Sequence, residues 1–339
     1  MRILLGMSGG LDSSYAALKL IKEGHSVEGA VLIMHDYTEV QAARDAAREV
    51  GIPLHEIDAR ALFSEKVIPD FMMQYSKGRT PNPCIVCNRE VKFRVLYDYA
   101  IEKGFDKIAT GHYARIINKD GKNVIARSAD VKKDQTYMLW RLPREIIDFL
   151  LFPLSDLTKE ELRTLAAGEG LTSADRDESQ EICFIPSGDY ATYIEERVGK
   201  SREGDFVDTE GNVLGRHKGI IHYTVGQRKG LGIALGQRAF ITDIDPLTDR
   251  ITLSFNTKET EEIYISDIKF PGMPPARAGE EAELYVKVRY LAPPVLARIT
   301  FLQSDRARVR FSAPVRSVAP GQSAVCYDGD VMVLGGFIE

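Results

Sequence analysis

The stretch Arg2-Ile-Leu-Leu-Gly-Met-Ser-Gly-Gly-Leu-Asp-Ser-Ser14 decides the reading of the first half of the chain. Ile3, Leu4 and Leu5 form the short apolar run of a strand buried on both faces. Glycines follow, and Leu11, Tyr15, Leu18 and Ile21 then recur at helical spacing until Gly24. The order is strand, glycine turn, helix. At such a turn the backbone N–H groups can approach a phosphate closely, Ser8, Ser13 and Ser14 add hydroxyl donors, and the helix N-terminus adds positive potential. The spacing matches neither G-x-x-x-x-G-K-[ST] nor G-x-G-x-x-G, and no lysine follows the glycines, which disfavours a γ-phosphoryl-transfer loop.

Working outward, residues 27–34 read as a second strand. Thr38 and Gln41 resemble a capping box that opens a helix through Val50, with Gly51 as its stop. Residues 52–57 supply a third strand. Asn88 is expected to cap a helix carrying Val91, Val95 and Tyr99 and ending at Gly104, before a strand near 107–109. Repeated strand–helix alternation implies a parallel sheet with ligands at the carboxyl ends of its strands. After about residue 190 the pattern changes. Gly, Asp and Asn turn signals become frequent, and runs such as Ala282, Leu284, Val286 and Val288 alternate with period two. Strands at 282–291, 295–302, 307–311 and 323–334 suggest a small antiparallel barrel. The expected organisation is α/β: a parallel-sheet domain at 1–190, a small mostly-β domain at 191–260 and a C-terminal antiparallel β-barrel at 261–339.

A chain of 339 residues, 44% hydrophobic and 27% charged, has globular composition and core enough to fold unaided. Lys and Arg number 44 against 49 Asp and Glu, a net charge of −5, so a polyanion would have to meet a local basic patch. The longest apolar stretch near the start, Gly29-Ala-Val-Leu-Ile-Met34, is far short of the roughly 18 residues of a membrane span. Gly6 breaks the opening apolar run before a signal-peptide core can form. A cytoplasmic chain without a membrane partner is expected, and its cysteines therefore argue against structural disulfides.

Cys84 and Cys87 lie in Gly78-Arg-Thr-Pro-Asn-Pro-Cys-Ile-Val-Cys-Asn-Arg-Glu-Val-Lys-Phe93, where two prolines pin an extended loop. Cys87 precedes the helix that Asn88 is expected to cap, so the helix dipole, Arg89 and Lys92 should lower its pKa and enrich the nucleophilic thiolate. A structural zinc would need four ligands; Cys183 supplies a third and no fourth is evident. Cys183 stands in Ser179-Gln-Glu-Ile-Cys-Phe184, whereas Cys326, inside Ala324-Val-Cys-Tyr327, reads as a buried core thiol.

Ser8-Gly-Gly-Leu-Asp-Ser13 resembles the PP-loop of the ATP pyrophosphatase family, which cleaves ATP between the α and β phosphates and adenylates a substrate oxygen. That resemblance implies an adenine nucleotide alpha hydrolase-like domain in which Ser8, Gly9, Gly10 and Ser13 cradle pyrophosphate and Asp12 helps hold Mg²⁺. In order along the chain come Thr80-Pro-Asn-Pro83 with Cys87-Asn88 and Lys92-Phe93, Ala109-Thr-Gly-His-Tyr113, Lys133-Asp-Gln-Thr-Tyr137, the Cys183 segment, Thr224-Val-Gly-Gln-Arg228 and Pro320-Gly-Gln-Ser323. This series is similar to the tRNA-specific 2-thiouridylase family over nearly the whole length. The resemblance implies adenylation of the C2 carbonyl of a wobble uridine, followed by displacement of AMP by sulfur. The sulfur would be delivered by a carrier or cysteine desulfurase as a persulfide on Cys183, with Cys87 as the catalytic nucleophile.

The same resemblance assigns ATP contacts to Gly6, Met7, Ser8, Gly9, Gly10, Leu11, Asp12, Ser13, Leu32 and Gly111. It assigns target-base contacts to Asn82, Pro83 and Cys84, and tRNA contacts to His112, Lys133, Asp134, Gln135, Arg289, Tyr290 and Gln322. Two departures stand out: many relatives carry Asp at the position of Cys84, and the segment between Met34 and Val40 is short. A third cysteine opens a second route, in which Cys84, Cys87 and Cys183 hold three irons of a 4Fe-4S cluster and the fourth iron binds the attacking sulfide.

Arg289, Arg298, Arg306, Arg308, Arg310 and Arg316 fall in a stretch holding one acid, Asp305. Arg306, Arg308 and Arg310 alternate with Ala307, Val309 and Phe311, which puts the guanidinium groups on one strand face, suited to an RNA backbone. Arg216-His-Lys218 and Gln227-Arg-Lys229 add positive charge in the middle region. Two competing readings are an adenylating amidotransferase or synthetase acting on a small metabolite, and a non-catalytic, nucleotide-gated RNA-binding protein. The first leaves the cysteines and the basic barrel unexplained; the second would tolerate loss of Cys87.

Overall fold

Ile3, Leu4 and Leu5 are fully buried, and they send side chains to opposite faces of a parallel sheet. Leu4 packs with Ala30, Phe93, Leu96, Ile108 and Trp140 on one face; Ile3 and Leu5 pack with Leu11, Ala16, Ala17 and Leu20 on the other. The computed structural model describes residues 1–172 and 182–339. Its first half runs β1 (Arg2–Gly6), α1 (Leu11–Lys22), β2 (Ser26–Ile33), α2 (Val40–Val50), β3 (Leu54–Asp58), α3 (Arg60–Lys66), α4 (Ile68–Ser76), α5 (Pro83–Cys87), a π-helical turn Asn88–Lys92, α6 (Phe93–Glu102), β4 (Lys107–Thr110), β5 (Arg115–Lys119), β6 (Lys122–Ala126), α7 (Arg144–Phe149), β7 (Leu150–Leu151), α8 (Lys159–Gly168) and α9 (Tyr190–Val198). The sheet order is β3-β2-β1-β4-β7, all parallel. The carboxyl ends of β1, β2 and β4 therefore lie side by side at one edge, where an α/β sheet binds its ligand.

The central strands β8 (Gly204–Val207), β9 (Val213–His217), β10 (Phe240–Asp245) and β11 (Arg250–Ser254) form a sheet in the order β10-β11-β8-β9. Its apolar face shares a core with α3, α4 and α9 through Phe63, Phe71, Ile194, Phe206 and Ile221. Strands β12 (Glu259–Lys269), β13 (Glu281–Lys287), β14 (Val295–Gln303), β15 (Arg306–Arg316), β16 (Ser323–Asp328) and β17 (Val331–Ile338) close into an antiparallel barrel through the β12–β17 pairing. The β5–β6 hairpin joins this barrel, with Ala126 opposite Val331. Cys326 is fully buried, as its apolar neighbours suggested.

Trp140 and Tyr137 lock the first domain to the barrel. The indole Nε1 donates to Ser323 Oγ at 3.0 Å and the Tyr137 hydroxyl donates to the Ser323 carbonyl at 2.9 Å. Gly335 lies against the indole; a Cβ there would come within 2.5 Å of Trp140 Cγ.

Two expected helix starts differ. The cap at α2 is Glu39, without a side-chain hydrogen bond, because Thr38 Oγ1 turns back to accept the N–H groups of Met34 and His35. Asn88 caps nothing: Asn82, followed by Pro83, starts the helix earlier by accepting the Cys84 N–H at 3.1 Å, and Asn88 is buried with its Nδ2 donating to the Met138 carbonyl. Among the described residues no helix is long and apolar enough to cross a membrane.

Candidate active site

The glycine turn between β1 and α1 is held from within. Ser13 Oγ and Ser14 Oγ both donate to the Gly10 carbonyl, at 3.0 and 3.1 Å, and the Ser8 N–H donates to Ser13 Oγ at 3.3 Å. Gly9 has φ +80°, and a Cβ on it would come within 2.4 Å of the Ala42 carbonyl carbon in α2, so both backbone and packing demand glycine. Gly6 ends β1, Met7 is buried with its N–H on the Ala30 carbonyl, and Leu11 and Asp12 open α1, whose first-turn amides have no intrahelical acceptor. Gly111 presses on this turn from just past the end of β4: a Cβ there would meet the Asp12 carbonyl carbon at 3.0 Å. Leu32, near the end of β2, is buried in the core beside Ile85 and Phe93.

Asp12 is the charged member of the turn. Lys159 Nζ donates to its Oδ1 at 2.7 Å, and the Tyr113 hydroxyl donates to the same oxygen at 3.0 Å. Neither partner was singled out from sequence. Tyr113 sat in a quoted motif without a role of its own, and Lys159 stands in Thr158-Lys-Glu-Glu161, which reads only as a well-capped helix start.

The same edge gathers the cysteines. Cys87 is buried with its Sγ 3.7 Å from Met34 Sδ, just past the end of β2. Phe184, next to exposed Cys183, is clamped between Phe63 and Phe71 at ring distances of 5.3 and 5.4 Å. Cys84, one helical turn before Cys87, is also exposed. The three thiols are near enough to act on one another electrostatically, and Lys92 acts on each of them. Ser179, Gln180 and Glu181 of the Cys183 motif lie outside the described residues.

The expected activation of Cys87 is overturned. Burial pushes its thiol up to about 12, outweighing Lys92; Cys84 and Cys183 keep an exposed face, but the protein around their sulfurs strips enough water to raise them as well. Because Asn82 and Pro83 start the helix at Pro83, Cys87 ends α5 instead of preceding a helix N-terminus, and it meets Met34 and the apolar core rather than a positive dipole. Among the described residues no group of three or more His, Cys, Asp or Glu side chains is arranged to hold a metal.

The residues assigned to tRNA are largely engaged in internal ties. His112 pairs its Nδ1 with Thr110 Oγ1 at 2.9 Å and packs on Phe93; burial, aided by Lys92, pushes it down to about 3, so it is neutral. Asp134 is buried, accepts from Thr136 Oγ1 at 2.8 Å and is raised by burial. Gln135 pairs with Tyr113 twice, its Oε1 accepting the Tyr113 N–H and its own N–H donating to the Tyr113 carbonyl. The Lys133 N–H donates to Asp130 Oδ1 at 3.1 Å. Arg289 donates to the Val225 carbonyl at 2.7 Å, and Tyr290 lies 6.3 Å from the Tyr137 ring. Gln322 Nε2 donates to the Thr80 carbonyl at 2.9 Å, and the Thr80 N–H donates to the Pro320 carbonyl, so the barrel braces the segment carrying Asn82, Pro83 and Cys84. Arg306, Arg308 and Arg310 do share one face of β15, but Arg306 makes a forked pair with Glu339 and Arg308 faces Glu262 at 3.9 Å.

A five-stranded parallel sheet whose first turn is a serine–glycine loop, with cysteines near the same edge, has the architecture of an ATP pyrophosphatase-type domain. Residues 1–187 match the tRNA methyl transferase HUP domain, 191–254 the tRNA methyl transferase PRC-barrel domain and 260–338 the aminomethyltransferase beta-barrel domain. The chain is 41% identical over 356 residues to the tRNA-specific 2-thiouridylase MnmA of Clostridium acetobutylicum, covering 100% of this chain and 99% of that protein. It is 42% identical over 357 residues to the tRNA-specific 2-thiouridylase MnmA of Acetivibrio thermocellus, covering 100% and 99%. The chain belongs to the tRNA-specific 2-thiouridylase family.

Proposed function

We infer that this chain is an ATP-dependent tRNA-uridine 2-sulfurtransferase acting in the cytoplasm. The reading is supported by two observations: the Ser8–Ser13 turn follows β1, and Cys87, with Cys183 close enough to act on it, lies against Met34 just past the end of the adjacent strand β2. A small-metabolite synthetase needs the turn but no thiols.

The first step makes an inert carbonyl labile. The C2 oxygen of the base bonds to the α-phosphorus of ATP, the bond from that phosphorus to the bridging oxygen breaks, and pyrophosphate leaves with the electron pair while the base N3 proton passes to water. Developing charge on pyrophosphate meets the α1 N-terminus and the serine hydroxyls. Mg²⁺, when bound, would neutralise the phosphates. Asp12 fits as its ligand because both of its protein donors converge on one oxygen, Oδ1.

In the second step the terminal sulfur of a Cys183 persulfide, supplied by a protein persulfide donor, attacks C2 and AMP leaves. Cys87, losing its proton, attacks Sγ of Cys183. The S–S bond breaks, its electrons stay on the sulfur now at C2, and a Cys87–Cys183 disulfide remains for an external thiol to reduce. Burial keeps the Cys87 proton in place until then. An iron–sulfur cluster held by Cys84, Cys87 and Cys183 would be the alternative way to bring sulfide to C2.

The test is incubation with ATP, a persulfide donor and unmodified tRNA. Thiolated uridine with AMP and pyrophosphate is expected; ADP release, or no RNA product, would refute the reading. Cys84→Ala separates the sulfur routes. A persulfide relay is expected to survive it at a reduced rate, whereas complete loss together with stoichiometric iron in protein prepared without oxygen would make Cys84 a cluster ligand.

A further inference from the structure

The relay uses two of the three thiols gathered beside β2 and leaves Cys84 without a part. Cys84 and Cys87 stand three residues apart within α5. The start of that helix is fixed, with Asn82 accepting the Cys84 N–H at 3.1 Å and Pro83 at its first position. Helix geometry puts Cα atoms at this spacing about 5 Å apart, inside the roughly 4.4–6.8 Å that a disulfide spans. A C-x-x-C pair on one helical turn is suited to thiol–disulfide exchange.

The three thiols differ in access. Cys87 is 6% exposed, with its Sγ against Met34 Sδ, whereas Cys84 and Cys183 open to solvent. Cys183 is held beside Cys87 through its neighbours: Phe184 shares one core with Val86, Cys87 and Val91, and the Ile185 N–H donates to the Ile182 carbonyl at 2.8 Å across the cysteine. Cys84 acts electrostatically on both of the others. The buried thiol is therefore flanked by two exposed ones, one from its own helix and one from a distant segment.

That asymmetry bears on how a Cys87–Cys183 disulfide is undone. Its only accessible sulfur is that of Cys183, so an external thiol lands there and leaves Cys183 blocked as a mixed disulfide until a second thiol arrives. Attack at Cys87 would free Cys183 in one step, and only a thiol already inside the site reaches it. We propose that Cys84 is that resolving thiol: it takes Cys87 from Cys183 after sulfur transfer, so the oxidised state comes to rest on the Cys84–Cys87 pair and Cys183 is free for reloading. This rests on the persulfide relay above. Cys84, losing its proton to water, attacks Sγ of Cys87; the Cys87–Cys183 bond breaks, and Cys183 departs with the electron pair and takes up a proton. The exchange is neutral in electrons. The external thiol of the relay then reduces the new disulfide through the exposed sulfur of Cys84.

The full chain carrying a Cys183 persulfide is to be taken through one turnover with ATP and unmodified tRNA, without reductant, then quenched in acid, alkylated and mapped by non-reducing peptide mass spectrometry. A Cys84–Cys87 disulfide with Cys183 alkylated is the expected result. In Cys84→Ser the bond should instead stay at Cys87–Cys183. With about 0.1 mM external thiol present, release of Cys183 in that variant should be at least about tenfold slower than in the wild-type chain, since a thiol on the same helix acts at an effective concentration of about 1 mM or more. The wild-type map decides the matter even if the variant fails to fold. A turnover that leaves Cys87 joined to Cys183 and Cys84 alkylated would overturn the proposal while sparing the relay. Thiolated uridine formed with all three cysteines alkylated would overturn the relay, and the proposal with it; no thiolated uridine at all would fell the sulfurtransferase reading first.

Discussion

The buried state of Cys87 makes a quantitative claim about its reactivity. An unperturbed cysteine titrates near 9.0, whereas burial pushes Cys87 up to about 12. At pH 8 its thiolate fraction is therefore about a thousandfold smaller than that of the unperturbed thiol. A more basic thiolate is intrinsically more nucleophilic, which returns roughly 20-fold at a Brønsted slope of about 0.45. The net expectation is an alkylation rate about 50-fold below that of a free thiol, before any further slowing from restricted access. Cys84 and Cys183 are exposed and should react first. Timed iodoacetamide labelling of the folded protein, quenched and quantified for each cysteine by peptide mass spectrometry, measures all four together. The Cys87 rate should also keep rising about tenfold per pH unit through pH 9 and beyond, where an unperturbed thiol levels off. Labelling of Cys87 as fast as Cys183 at neutral pH, or a plateau below pH 9, would show that Lys92 wins over burial.

His112 gives a second pH signature. Its folded value, about 3, lies below the ordinary 6.5, so the unfolded chain takes up a proton that the folded chain refuses, and stability present above pH 6.5 is lost as pH falls toward 3. His112→Asn should flatten that acid limb in denaturant titrations; an unchanged limb would mean that His112 is charged in the fold. Gly335→Ala drives a methyl into the buried Trp140 indole and should destabilise the chain by about 1–3 kcal/mol in chemical denaturation. Glu262→Gln combined with Glu339→Gln frees Arg308 and Arg306 from their partners. If β15 faces RNA, tRNA binding should tighten and its salt dependence steepen; no change at several salt concentrations would remove this face from the interface.

Local features were legible in the sequence. The glycine turn announces itself because Ile3–Leu5, the glycines and the helical spacing of Leu11 and Leu18 act over a few residues, and the structure realises each of them. The parallel sheet and the barrel follow from periodicity for the same reason. The electrostatic state of Cys87 was not legible. It depends on Asn82 rather than Asn88 winning the cap, and on Met34 and the Phe184 cluster reaching the thiol from distant segments. Lys159 escaped notice because its significance lies in Asp12, 147 residues away, and nothing within its own helix marks it.

The arginine strand illustrates the general limit. Alternation fixes which way Arg306, Arg308 and Arg310 point, since a strand's faces repeat every second residue. It cannot fix the field they produce, because that depends on what stands across the ladder: Glu262 opposite Arg310, Tyr264 opposite Arg308, and Glu339 reaching Arg306 from the chain end. Orientation is a property of one segment and potential a property of several. The same distinction separates the site's readable part from its unreadable part. Backbone amides at the glycine turn are set by the segment that bears them, whereas the charge of Cys87 and of His112 is governed by residues that only tertiary packing brings near.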